Sequence, residues 1–170
     1  MVTVGQKAPD FITPAVVDGE VQMLELFAQL REHDAAVLVF EPADFVPTGT
    51  AELRAVQGAG WDDNPDLLVV GLTGDSLYSH VAYADEYDLR LPLVSDFHGG
   101  IAESYDLLLE EWEGHGAIPA RGTAVVDDDW TVRAVETVDP LDSRSTPPVE
   151  RAAETLADLG LDITRPDVEY

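Results

Sequence analysis

At 170 residues, 45% of them apolar, the chain is sized for one domain that buries roughly 70% of the surface its unfolded form would expose. Thirty-four acidic residues face nine basic ones, a formal charge of -25, which excludes a nucleic-acid binder, since phosphate recognition needs basic patches, and reads as adaptation of a halophile's protein to concentrated salt. No cysteine is present, so disulfides, thiolate catalysis and cysteine metal sites are all excluded.

The opening MVTVGQKAPD has no basic region followed by an apolar core, and no apolar run approaches the length of a membrane span. The expectation is a soluble, cytoplasmic protein. Short extended pieces are expected around Phe11-Ile12 and Val16-Val17, with Asp18-Gly19 turning the chain between later and earlier residues. Leu24 to Leu30 reads as a short amphipathic helix. Ala35 to Phe40 is wholly apolar and bounded by charge, as in a buried strand, and Leu67 to Leu72 repeats the pattern. Between them Thr50 to Val56 has helical character, stopped at Gly58 and Gly60.

Asp75 is placed to cap a helix with Leu77, Val81 and Ala84 on one face. Leu91 to Val94 reads as a strand, and Gly99-Gly100 as the opening of a helix through Tyr105. Thr123 to Val126 and Val132 to Val138 flank Asp127-Asp128-Asp129-Trp130 and read as a hairpin, its three acids as a solvated face. A last helix is expected with Thr146 as cap and Pro147 at its first position. Its apolar face runs Val149, Ala152, Ala153, Leu156 and Leu159, and Gly160 ends it. Residues 1–160 are read as one domain and 161–170 as a loosely held tail. Alternating strands and helices, then a hairpin, make an α/β protein with a mixed sheet. Sites in such sheets form beyond the carboxyl ends of central strands, which draws attention to PADFVPTGTAEL after Phe40.

Three segments carry a family resemblance. VLVFEPADFVPTGTAEL is similar to the active-site strand, loop and helix of peroxiredoxins of the alkyl hydroperoxide reductase and thiol-specific antioxidant type. GLTGDSLYSHVAYADEYDLRLPLVSD resembles their next strand, helix and strand, and IPARGTAVVDDDWTVRAV the segment bringing the active-site arginine, here Arg121. The resemblance implies a thioredoxin-like three-layer α/β/α fold with a central mixed sheet, and a homodimer or higher homo-oligomer. It also implies that Pro42 begins the family signature, that Val46 stands where a threonine belongs, and that Gly49 stands where the peroxidatic cysteine belongs. Glu52 takes a position that shapes the helix start.

With the thiol lost, thiol peroxidase activity is not expected, because that chemistry needs a thiolate nucleophile. Gly49 then has two readings. Either the position is filled by a residue that merely fits, or a helix start with free amides receives a small anion or acid, helped by Thr48, Thr50, Glu52 and Arg121. An inactive partner of an active peroxiredoxin homologue is a further alternative. No cofactor and no metal are expected. His33 and His115 lie in polar loops without a partner at ligand spacing, His80 and His98 read as structural or surface groups, and Asp44 with Glu52 is a poor acid–base pair.

Overall fold

The computed structural model describes residues 2–170. The strands β1 (Ile12–Val17) and β2 (Glu20–Glu25) form a hairpin about Asp18-Gly19, followed at once by α1 (Leu26–Leu30). Next come β3 (Ala35–Glu41), α2 (Pro47–Gly58), β4 (Leu67–Thr73), α3 (Leu77–Tyr87), β5 (Leu93–Ser95) and α4 (Gly100–Ser104). A small hairpin of β6 (Leu108–Trp112) and β7 (His115–Pro119) stands apart from the main sheet. The chain then returns through β8 (Arg121–Asp127), β9 (Val132–Val138) and α5 (Pro148–Asp158).

The main sheet has seven strands in the order β2-β1-β5-β4-β3-β8-β9. β3, β4 and β5 run parallel, and the outer pairings are antiparallel. Because side chains alternate across a strand, β3 feeds two cores. Ala36, Leu38 and Phe40 join Leu26 and Leu30 of α1 and Ala102 of α4 on one face. Ala35, Val37 and Val39 meet Leu53 and Val56 of α2, Tyr83 of α3 and Val149, Ala152 and Leu156 of α5 on the other. The result is the expected three-layer α/β/α arrangement around a mixed sheet.

Several local expectations shift. Residues 20–25 are strand, so the helix expected from Leu24 begins only at Leu26. Ser76, not Asp75, caps α3, accepting from the Ser79 amide at 3.3 Å. Pro147 is itself the cap residue of α5 and Pro148 takes the first helical position. Asp127 is buried and not solvated: its carboxylate accepts from the Asp129 and Thr131 amides at 2.9 Å each and from Arg133 Nε at 2.5 Å. Burial alone would raise its pKa, but these donors hold it below the usual carboxylate range.

The segment after α5 has no regular structure but is not loose. Leu161, Ile163 and Val168 pack against the core between sheet and helices. Trp61 Nε1 donates to the Thr164 carbonyl at 2.7 Å, and Asn64 to that of Asp162 at 3.3 Å. Tail composition hides this, because the anchoring groups lie about a hundred residues earlier. Among the described residues no helix is long and apolar enough to cross a membrane.

Candidate functional site

Glu41 ends β3 and begins the loop that leads to α2. In the antiparallel register Phe40 faces Gly122, so Arg121, one residue further out on β8, arrives at the same end of the sheet. α2 starts with Pro47 at its first position and Val46 as its cap residue, the latter making no side-chain cap bond. Gly49 and Glu52, three apart, point the same way from the helix. These elements bring Glu41, Gly49, Glu52 and Arg121 together, all buried.

What fills the space beside Gly49 is Glu41. A Cβ placed on Gly49 would lie 2.5 Å from both Cδ and Oε2 of Glu41 and 2.9 Å from its Cγ. Gly49 sits within α2 in right-handed helical backbone, so no special φ requires a glycine there; the carboxyl group does. Both Glu41 oxygens, and Oε1 of Glu52, are buried without a hydrogen-bonding partner as ionised groups. Burial, then the nearby Glu52 carboxylate, push the Glu41 carboxyl well above its ordinary range, with Arg121 opposing. Glu52 is also raised by burial, against the pull of Arg121.

All three nitrogens of the Arg121 guanidinium are engaged. Its Nε donates to Glu52 Oε2 at 2.6 Å, and Nη1 donates to the carbonyls of Asp142 at 2.5 Å and Asp139 at 3.3 Å. Nη2 donates to the Tyr170 hydroxyl, and the Tyr170 ring centroid lies 5.3 Å from the guanidinium carbon. Burial beside Glu52 pushes the Tyr170 phenol up to about 12. The tail thus closes over the arginine.

The expected hydroxyls are spent as well. Thr48 Oγ1 donates to the Pro140 carbonyl at 2.6 Å, and Thr50 Oγ1 shares a hydrogen bond with the Tyr83 hydroxyl at 2.8 Å. At the positions expected to receive a small anion, the Thr48 and Thr50 hydroxyls and the Arg121 guanidinium are thus bonded to the protein, and the Glu41 carboxyl lies beside Gly49. Val46 is nearly buried and brings no hydroxyl.

A second buried network fixes the loop. The Asp44 amide donates to Asp75 at 2.7 Å, and its carboxylate accepts from Thr73 Oγ1 and Ser79 Oγ at 2.8 Å each. The same carboxylate lies 2.7 Å from His80 Nδ1, while His80 Nε2 meets the Val94 carbonyl at 3.0 Å. His80 is structural, as expected, whereas Asp44, weighed in the sequence only as half of an acid–base pair with Glu52, is a loop anchor. Pro42 offers its carbonyl to the Gly74 amide at 3.3 Å. Phe45, at a φ of 66°, packs against Tyr83 with ring centroids 4.9 Å apart and planes tilted by 54°. Glu41 and Tyr170 were missed. The signal for Glu41 was available: it is the one charged residue closing the fully buried run AAVLVFE.

Fold and site together define a thioredoxin-like domain of peroxiredoxin architecture. A reduced 2-Cys peroxiredoxin of Plasmodium vivax superposes with a TM-score of 0.76 at 21% identity, over 94% of this chain and 95% of that one. A peroxidoxin of Mycobacterium tuberculosis gives 0.75 at 23% identity, over 94% and 97%. In sequence, a chloroplastic 2-cysteine peroxiredoxin of Chattonella marina var. antiqua is 34% identical over 119 residues, 65% of this chain and 60% of that protein. A chloroplastic 2-Cys peroxiredoxin of Hordeum vulgare is 28% identical over 138 residues, 76% of this chain and 63% of that protein. This chain therefore spans less than two thirds of the length of these relatives. The AhpC/TSA family model matches residues 4–135. The chain belongs to the AhpC/TSA family, and it contains no cysteine.

Proposed function

We propose that this chain is a non-catalytic peroxiredoxin-family protein, with no thiol peroxidase activity of its own. The observation that carries the reading is the Glu41 carboxyl, 2.5 Å from where a side chain at position 49 would begin. A peroxide-reducing site needs a thiolate that attacks oxygen, becomes a sulfenic acid and is returned to thiol. A carboxyl group has no such cycle, and with Arg121 engaged no free guanidinium greets a peroxide. The test is hydrogen peroxide consumption by the purified chain with a dithiol donor, in molar salt. The expected rate equals that of donor alone; protein-dependent turnover would overturn the reading.

A second aspect of the reading concerns assembly. Phe45, Tyr78 and Phe97 are 46%, 90% and 62% exposed. Phe45 lies in the loop after β3, Tyr78 at the start of α3 and Phe97 in the loop after β5, segments tied together by the Asp44–Asp75 bond and by the Ser95 hydroxyl donating to the Asp75 carbonyl at 2.5 Å. Exposed aromatic rings favour burial against a partner. In this reading the partner is a second copy of this chain, with a family homologue as the alternative.

A further inference from the structure

Three buried carboxylate oxygens without partners, Glu41 Oε1 and Oε2 and Glu52 Oε1, sit beside one guanidinium whose Nε already serves Glu52 Oε2. Two ionised carboxylates and one arginine would leave a net negative charge in a buried site, which burial strongly disfavours. Among the described residues no further cation is paired with either carboxylate. The groups facing Glu41 are Glu52 from α2 and Arg121 from β8, while Tyr83 from α3 and Tyr170 from the tail feel its charge. From the loop after β9 only the carbonyls of Asp139 and Asp142 enter, and they serve Arg121.

We propose that Glu41 and Glu52 share a single proton, held on Glu41 and donated toward Glu52, and that this proton keeps the site closed. The proton makes the set neutral: Glu41 as carboxylic acid, Glu52 as carboxylate, Arg121 as guanidinium. It also turns a Glu41 oxygen into the donor that Glu52 Oε1 lacks. Loss of the proton breaks the Glu41 O–H bond, sends the proton to solvent and leaves two carboxylates in repulsion. The relief available is movement of the Glu41 carboxylate out of the space beside Gly49, which loosens the start of α2. The site is then a proton-operated latch, and its existence does not depend on whether the chain reduces peroxide.

The sign of the pH dependence follows from burial. Glu41 titrates above its ordinary 4.5 in the folded state. Its protonated form is thus favoured by folding, and its contribution is complete below 4.5 and declines as pH rises toward the folded value. Glu41→Gln keeps the shape and a donor but carries no charge. Across that window the folded-to-unfolded ratio of the parent falls about tenfold per pH unit relative to Glu41→Gln. Infrared spectroscopy reads the proton directly. Above the ordinary carboxyl range the folded parent should show one protonated-carboxyl carbonyl band, absent from Glu41→Gln and lost from the parent as pH rises further. No such band in the folded parent, its persistence in Glu41→Gln, or parallel stability profiles would each overturn the proposal. The parent's own spectrum decides the matter should the variant not fold.

Discussion

Position 49, where the family resemblance places a thiol, is a glycine, and the Glu41 carboxyl group occupies the space beside it. The two residues are best understood as one unit. A methyl group added at Gly49 meets Glu41 at a distance no relaxed Cβ contact allows, so Gly49→Ala should destabilise the protein by about 1–3 kcal/mol through overpacking. In a Glu41→Ala background the clash is gone and the sign should reverse, because alanine in a helix is favoured over glycine by roughly 0.5–1 kcal/mol. Denaturant unfolding of the parent, the two single variants and the double variant measures this coupling. Equal effects of Gly49→Ala in both backgrounds would show that the two positions are independent.

Among the elements, those with an unbroken apolar run were legible from sequence. Ala35–Glu41 and Leu67–Thr73 lie in the sheet centre and are buried along their whole length, so nothing competes with the hydrophobic signal. α5 was legible for the complementary reason, since its apolar residues recur on one face and Val149, Ala152, Ala153 and Leu156 are buried there. The β6–β7 hairpin was not foreseen, because its strands are short and half-exposed, β6 carries Glu110 and Glu111, and Ala117 in β7 takes a φ of 55°. The site divides in the same way. Gly49, Glu52 and Arg121 were found through the order of motifs along the chain. Glu41 and Tyr170 were not, and Asp44 was named without its anchoring role, since each acts through contacts between elements distant in sequence. Thr48 and Thr50 were located correctly as neighbours of Gly49, but only the fold shows their hydroxyls bonded to Pro140 and Tyr83.

For the whole molecule, the formal charge of -25 sets the terms on which copies can meet. In dilute buffer two such chains repel each other over a long Debye length. At about 1 M salt that length falls to roughly 3 Å, and apolar contact between exposed Phe45, Tyr78 and Phe97 can prevail. Sedimentation velocity across a KCl series should therefore show monomer giving way to dimer as salt rises, with Tyr78→Ser shifting the transition to higher salt. Monomer at every salt concentration would contradict self-association through this surface.

The central claim is that Glu41 fills the place of a peroxidatic thiol in an otherwise intact helix start, and Gly49→Cys tests it with and without Glu41→Ala. The measured quantity is the rate of sulfenic acid formation under hydrogen peroxide, with Thr50→Cys as the neighbouring control. Relief of Glu41 restores space beside the α2 amides and Arg121, both of which lower a thiol's pKa below the roughly 8.5 of free cysteine. The account predicts slow oxidation of Gly49→Cys alone and a severalfold or greater acceleration when Glu41→Ala accompanies it. Equal rates for the two, no faster than Thr50→Cys, would contradict it.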